Sequence, residues 1–292
     1  MNYNRYEEVR DMRARVFQET IRIVDQGYYV SPDGERHDFS KLKEMIEGTE
    51  FVSRELPPVD CAPVKGGTQV EVVNEDCLEV AERLVDEGYA PALLNMASRR
   101  NPGGGVIGGA GAQEETVFRR TDLFKSLYQF ASYACQYGLR KSRFQYPLDQ
   151  NFGGIYTPDV TYFRDSEAND YRLLDNPTDF AVITVAGINR PDLTPDGREI
   201  AEYLVPTVKD KMRTIFRLGL RHGCDSLVLG ALGCGAFRNP PRHIARLFHE
   251  VMEEPEFRDR YRRIVFAILE DHNSRRPDSP EGNFRPFSRE FA

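Results

Sequence analysis

The sequence predicts an α/β fold in which a largely parallel sheet carries helices on both faces, preceded by a helical N-terminal extension. Three observations support this. From Thr68 onward, short apolar runs alternate with segments whose apolar residues recur at helical spacing. Two of the runs, Ala92-Leu-Leu-Asn-Met-Ala97 and Ala181-Val-Ile-Thr-Val-Ala186, are almost continuously apolar, as strands buried on both faces are. Strands separated by helices need crossover connections, and crossovers make neighbouring strands parallel.

The first sixty residues read differently from the rest. Val9, Met12, Val16, Phe17, Ile21 and Val24 mark one face of a helix over residues 6–26. A polar turn follows at Ser31-Pro-Asp-Gly34, then a short helix over residues 39–47. Pro57-Pro58 and Lys65-Gly-Gly67 punctuate a linker. The boundary is therefore placed to give a helical extension over 1–65 and one larger domain over 66–292. In that domain residues 68–73 read as a strand, 76–87 as a helix closed by Gly88, and 90–97 as a buried strand. The glycine-rich stretch 101–112 leads into a helix over about 113–138, with Val117, Phe124, Leu127, Tyr128 and Ala131 on its apolar stripe. Two short strands, 154–156 and 160–163, are expected within an irregular stretch. A strand at 180–186, a helix at 200–219, a strand at 226–231, a helix at 241–252 and a last strand at 263–269 complete the pattern. Ligands of such sheets sit beyond the strand C-termini, which singles out the loops after Ala97, Ala186, Ala231 and Leu269.

Composition narrows the function classes. The 292 residues carry 39 Lys and Arg against 46 Asp and Glu, a formal charge of −7, with 40% hydrophobic and 29% charged residues. These fractions are ordinary for a folded domain and exclude a disordered or collagen-like chain. The acidic balance argues against a nonspecific nucleic-acid coat, which needs a basic surface. It leaves room for an anion site made of backbone N–H groups, which need no Lys or Arg. No run of about 18 apolar residues occurs, and residues 1–15 lack an apolar signal core, so no membrane contact is expected and the cytoplasm is the expected compartment. Cys61, Cys77, Cys135, Cys224 and Cys234 are odd in number and form no C-x-x-C pair, which fits reduced thiols. There is no H-E-x-x-H, and His243 and His249 are six apart, wrong for one helix face. Neither a metal nor a cofactor is expected.

Two loops carry the chemistry. The first, Asn101-Pro-Gly-Gly-Gly-Val-Ile-Gly-Gly-Ala-Gly-Ala112, runs from a buried strand into a helix start. So much glycine lets backbone approach a ligand closely, and the helix N-terminus beyond it favours an anion. Gly103, Gly105 and Gly108 satisfy G-x-G-x-x-G, but the acidic residue that a dinucleotide site needs at the end of a following strand falls where this sequence is still helical. No G-K-[ST] follows, so the stretch is not a P-loop. Gln113-Glu114-Glu115 opens the helix, and the dipole alone would account for acidic residues there. Adjacent helical side chains point about 100° apart, so the two carboxylates do not flank one bond as paired glycosidase carboxylates do. One as proton donor and the other as a hydroxyl-binding group is the division that fits. The dipole favours a charged carboxylate at such a position, whereas burial and a bound diphosphate favour the acid, so proton donation is expected mainly with substrate in place. The second loop, Gly230-Ala-Leu-Gly-Cys-Gly-Ala-Phe-Arg-Asn-Pro-Pro241, is small at Gly233, Cys234, Gly235 and Ala236, again suited to a phosphate cradle. Phe237 packs either on a sugar or back on the core. Cys234 has no His or Asp at useful spacing and reads as a small filler.

Gly103-Gly-Gly105, then seven residues, then Gln113-Glu-Glu115 resembles the GGG-x(6–8)-QEE signature of poly(ADP-ribose) glycohydrolases. Leu94-Asn-Met-Ala-Ser98, Asn101-Pro102, Asn74-Glu-Asp-Cys-Leu78 and the Leu229–Phe237 loop resemble the microbial branch of that family. The resemblance covers roughly residues 70–287 and most of the chain. It implies a macrodomain-like three-layer α/β/α sandwich with a mixed, mostly parallel sheet, binding ADP-ribose in a cleft at the strand ends. It implies hydrolysis of the ribose–ribose O-glycosidic bond with release of ADP-ribose. In such enzymes the last Glu of the motif is catalytic, here Glu115, and Glu114 would hold ribose hydroxyls. Asn101, Gly103, Gly104 and Gly105 would line the distal ribose, and Gln113 would also bind the substrate. Gly233, Cys234, Gly235, Ala236 and Phe237 would bind the diphosphate, with Phe237 against the scissile ribose. Asp76 would accept from the adenine amino group, and of Phe284 and Phe287 the latter is preferred as the ring stacked on adenine.

The implied partners are poly(ADP-ribose) or ADP-ribose as ligand and ADP-ribosylated macromolecules as substrates, handled by a monomer. No Tyr-bearing clasp loop like that of the eukaryotic enzymes is found, which points to trimming from chain ends. Two other functions share these features. Removal of mono-ADP-ribose from protein or nucleic acid would use a nearly identical cleft. A non-catalytic ADP-ribose reader needs the glycine cradle but not both Glu114 and Glu115.

Overall fold

The computed structural model describes residues 3–270 and 279–292, with side chains from Tyr6 onward. Along the chain the elements are α1 (Tyr3–Gln26), β1 (Tyr28–Val30), β2 (Arg36–Asp38), α2 (Leu42–Glu47), β3 (Glu50–Val52), β4 (Gln69–Val73), α3 (Cys77–Asp86) and β5 (Pro91–Met96). They continue as α4 (Gln113–Arg120), α5 (Leu123–Tyr128), β6 (Gly154–Arg164), β7 (Leu173–Val185), α6 (Val205–Arg221), β8 (Ser226–Leu229), α7 (Pro241–Met252), β9 (Arg263–Ala267) and α8 (Phe284–Glu290). Two compact units result, one of Met1–Glu50, Arg100–Pro147 and Thr157–Phe180, the other of Phe51–Arg99, Leu148–Tyr156 and Ala181–Ala292.

In the first unit, α1 buries Phe17, Thr20 and Val24, the spacing of one helix face. The Phe17 ring meets Phe124 edge-on with centroids 5.8 Å apart. The polar turn expected at residues 31–34 is the tip of an antiparallel β1–β2 hairpin, in which the Gly34 N–H donates to Ser31 O at 2.9 Å. α2 starts later than expected because Phe39 instead turns its ring edge-on to Phe163, centroids 5.1 Å apart.

The single helix expected over 113–138 is broken into α4, α5 and a 3-10 turn at Ala134–Tyr137. No Pro or Gly causes the break. Thr121 is extended and bridges to Tyr162, while the Thr161 N–H donates to Asp122 Oδ1 at 2.9 Å. The pull of strand β6 on these two residues outweighs helix continuity. β6 itself is one strand where two were expected. The strand runs through Thr157-Pro158-Asp159 between them, with Asp159 at a φ of 46°.

Asp122 is buried, and burial pushes its carboxyl up to about 8. The fold therefore holds the neutral acid, whose unfolded counterpart ionises near ~4. That contribution to stability is whole below ~4 and is lost as pH rises towards 8. Asp122→Asn keeps an acceptor for Thr161 and removes the titration. Thermal unfolding at steps from pH 5 to pH 9 should show the variant gaining on the wild type by a few degrees as pH rises. Parallel curves would sink this assignment.

The second unit carries the parallel strands. β5 pairs with β7, Ala92 opposite Ala181 through Met96 opposite Val185, and with β8 on its other side. β9 pairs in parallel with β8 and β4. The whole sheet holds seven strands in the order β3-β6-β7-β5-β8-β9-β4. The hairpin from β6 to β7, closed by the Asp165 N–H to Arg172 O bond at 2.8 Å, makes it a mixed sheet. The core of the second unit packs Leu94, Val185, Leu227 and Phe266 with Met212 and Phe216 of α6 and Ile244 and Phe248 of α7. α6 begins later than the expected residue 200, because the Ile200 N–H donates to Nδ1 of buried His243 at 2.8 Å. α8 has no counterpart among the expected elements. Among the described residues no helix is long and apolar enough to cross a membrane.

Candidate active site

In the first unit the glycine loop folds as successive tight turns. The Gly104 N–H donates to Asn101 O, Val106 to Gly103 O, Gly108 to Gly105 O and Ala110 to Gly105 O, at 3.0–3.2 Å. Val106 is buried and anchors the loop, while Asn101, Gly104 and Gly105 are exposed. The loop delivers the chain to the first turn of α4, where Glu114 is 3% and Glu115 7% exposed.

Both carboxylates are held by loop backbone. Glu114 Oε1 accepts from the Gly103 N–H at 3.0 Å. Glu115 Oε1 accepts from the Gly105 N–H at 2.8 Å and its Oε2 from the Ala112 N–H at 2.9 Å. The last of these is half of a capping box, since Glu115 is the third residue of α4 and reaches back to the residue before the helix. An ionised carboxylate oxygen accepts two hydrogen bonds, so each Glu115 oxygen keeps capacity for a substrate hydroxyl or a water. Although adjacent helical side chains diverge, these two converge on Gly104. A Cβ built there would lie 2.5 Å from Glu115 Oε1 and 3.0 Å from Glu114 Oε2. One oxygen of each carboxylate thus lies within 3.0 Å of the same point. Gln113, half-buried, opens the same turn.

A tyrosine cluster that the sequence reading missed stands beside Glu114. The Tyr128 ring lies 5.3 Å from Tyr133 and 4.5 Å from Tyr137, and the Glu114 charge acts on Tyr128, Tyr133 and Tyr146. Burial pushes the Tyr133 phenol up to about 12 and those of Tyr128 and Tyr146 upward, so all stay neutral. In the sequence Tyr128 stands out only as part of an apolar stripe. The signal available was the close spacing of Tyr128, Tyr133 and Tyr137 after the QEE motif.

In the second unit the loop at Gly233–Phe237 is braced from inside. Asn239, 1% exposed, donates through Nδ2 to Ile188 O at 2.7 Å and Gly233 O at 3.0 Å. The Arg190 N–H donates to Phe237 O at 2.8 Å. The loops after β7 and β8 are therefore tied together, and Asn239 is a second residue the sequence reading passed over. Cys234 is fully buried with its thiol 3.8 Å from Leu232 O, as a filler would be. Ala236 is exposed and Phe237 half-buried.

Asp76 caps α3, with Oδ1 accepting from the Leu78 N–H at 2.9 Å and the Glu79 N–H at 3.3 Å. Phe287 does not fit the stacking role preferred for it. It is 0% exposed, and its ring packs against Phe266 at 5.3 Å and Phe248 at 6.4 Å. Both its faces are spent in the core. Phe284, one helical turn earlier, is half-buried instead. Glu270 brings it towards Asp76, since its carboxylate accepts from the Phe284 N–H at 2.7 Å and its own N–H donates to Asn74 Oδ1 at 2.9 Å.

The family model for the microbial-type PARG catalytic domain matches residues 17–165, a span that includes the glycine loop, Glu114 and Glu115. The chain belongs to this family, that of the microbial-type poly(ADP-ribose) glycohydrolases. It shares the family's macrodomain-like fold, and the family's members are glycoside hydrolases. The chain is similar to poly(ADP-ribose) glycohydrolase from Thermomonospora curvata, with a TM-score of 0.77 and 29% identity over 97% of this chain and 100% of that one. A second structure of that protein, bound to the inhibitor ADP-HPD, aligns with a TM-score of 0.76 at the same identity and coverage. The enzyme from Deinococcus radiodurans in complex with ADP-ribose aligns with a TM-score of 0.65 and 30% identity over 87% of this chain and 98% of that one. No curated protein matches the chain.

Proposed function

We propose that the protein hydrolyses the ribose–ribose O-glycosidic bond of poly(ADP-ribose) from the chain end, releasing ADP-ribose, with Glu115 as the general acid and base. The observation that carries this reading is the Glu115 carboxylate, bound at both oxygens by glycine-loop N–H groups and buried at a helix start. Glu115 as the acid protonates the departing ribose oxygen while the bond to the anomeric carbon breaks. The electron pair leaves with that oxygen, and the ring oxygen of the distal ribose shares the positive charge. The Glu115 carboxylate then takes a proton from a water as that water adds to the anomeric carbon, which restores the acid. Glu114 holds ribose hydroxyls, and Asn101, Gly103, Gly104, Gly105 and Gln113 line the sugar. N–H groups of Gly233–Phe237 hold the diphosphate. Asp76 accepts from the adenine amino group, and Phe284 supplies the stacking ring in place of Phe287.

Incubating the protein side by side with poly(ADP-ribose), mono-ADP-ribosylated protein and mono-ADP-ribosylated DNA tests the substrate class. Release of ADP-ribose from the polymer, with shortening from chain ends on a gel, is the expected result. Release from a mono-ADP-ribosylated substrate alone would move the assignment there. Binding of ADP-ribose without release from any of them would make the protein a reader.

A further inference from the structure

The glycine loop has two arms. One, Asn101–Gly105, carries the N–H groups that bind Glu114 and one Glu115 oxygen. The other, residues 108–112, ends at the Ala112 N–H that binds the second Glu115 oxygen. That second arm rests on α1. Arg10 donates through Nε and Nη2 to Gly108 O at 2.9 and 2.7 Å. Gly109 sits at a φ of +71°, and a Cβ there would overlap the Arg10 carbonyl, so helix and loop backbones touch. A Cβ at Gly111 would overlap the Arg13 guanidinium.

Arg13 is itself fixed by a fork-to-fork pair with Glu167, Nε to Oε2 at 2.6 Å and Nη2 to Oε1 at 3.1 Å. The Tyr171 hydroxyl donates to Glu167 Oε2 at 3.0 Å and accepts from Arg119 Nε at 3.0 Å. Arg119, 1% exposed, closes the circuit by donating through Nη1 to Ala110 O at 2.7 Å. The arm is thus held at Gly108 by Arg10, backed at Gly111 by Arg13 and held at Ala110 by Arg119. Part-exposed ion pairs contribute little to stability, and the Arg13–Glu167 pair is 18% and 39% exposed. Its geometry is better accounted for by what it aims.

We propose that Arg10 and Arg13 of α1 are positioning residues for Glu115. They fix the 108–112 arm so that the Ala112 N–H holds the Glu115 carboxylate in its reacting orientation. The N-terminal helix is then part of the catalytic apparatus. This rests on Glu115 being the acid and base, as proposed above.

The test compares R10A, R13A, the double variant and R10K in the full chain, with E115Q alongside. Alanine suits a helix, so α1 is retained. The double variant should lose kcat on polymer by on the order of a hundredfold, the cost of a small misplacement of a reacting group. Its ADP-ribose Kd should stay within about threefold, because a group acting only in the transition state leaves ground-state binding alone. R10K, which keeps one donor for Gly108 O, should recover most of what R10A loses. The pH–rate profile of R10A should shift while that of R10K does not, a change that lost packing would not produce. An inactive E115Q with wild-type kcat in the double variant overturns this proposal and leaves the function standing. Wild-type turnover in E115Q overturns the function itself. If the double variant is unfolded by circular dichroism, R10A against R10K decides, since both leave the Arg13–Glu167 pair in place. Equal kcat in those two overturns the proposal.

Discussion

Glu115→Gln is expected to lose polymer hydrolysis and to keep ADP-ribose binding. Glutamine has the same reach and replaces one carboxylate oxygen by an NH2 donor. The bond from Gly105 or the bond from Ala112 survives, and the other is opposed donor to donor. Losing one such bond costs about 1 kcal/mol, a small part of the ~5–15 kcal/mol by which domains are stable. The variant therefore folds, and the glycine backbone around the sugar is unchanged. What disappears is a group able to give and then take a proton, which is worth ~10²–10⁴-fold in rate. ADP-ribose released from polymer, followed by chromatography, measures the first effect. Titration calorimetry with ADP-ribose measures the second. Undiminished release would remove Glu115 from the chemistry. Lost binding together with lost turnover would make its role one of holding the sugar.

The parts of this fold that were legible in the sequence are those whose cause is local. Strand β5 and the end of β7 lie inside the sheet, so their sequences are apolar runs broken only by Asn95 and Thr184, which are buried and hydrogen-bonded to each other. The bounds of α7 are legible because Pro240-Pro241 starts it and apolar residues recur along one face. The break between α4 and α5 leaves no trace in the sequence, because it is made by hydrogen bonds between Asp122 and Thr161 and a bridge to Tyr162, some forty residues away. The β1 and β2 strands are three residues each, too short to show alternation. The same division runs through the site. Glycines 103–105 and the two glutamates lie within one loop and its helix start, so their chemistry could be read together. Arg10, 98 residues from the Gly108 carbonyl it holds, carries no signal beyond being one more charge on an amphipathic helix. Phe287 shows the opposite failure. A sequence reveals that an aromatic residue is present near the C-terminus but not which face of a short helix is turned into the core.

Gly104→Ala should reduce turnover by on the order of a hundredfold or more, since a reacting group displaced by about an ångström loses that much. Gly104 has a φ of +53°, and a methyl group there would lie 2.5 Å from Glu115 Oε1 and 3.0 Å from Glu114 Oε2. Both contacts are with the ends of side chains, which can swing away, so the chain still folds. The swing takes Glu115 Oε1 off the Gly105 N–H and Glu114 away from the Gly103 N–H. One methyl group would thus displace both carboxylates while altering neither. The left-handed backbone adds a strain of roughly 1–2 kcal/mol for any residue with a Cβ. That strain has to be separated from the collision. Gly138 allows this, because its φ is +68° and a Cβ there meets nothing within 4 Å. Gly138→Ala should carry the same backbone strain, lower the unfolding temperature by less than Gly104→Ala, and leave kcat at the wild-type value. If Gly104→Ala turned over polymer as fast as Gly138→Ala, the carboxylates would not be acting from the positions at which the loop holds them.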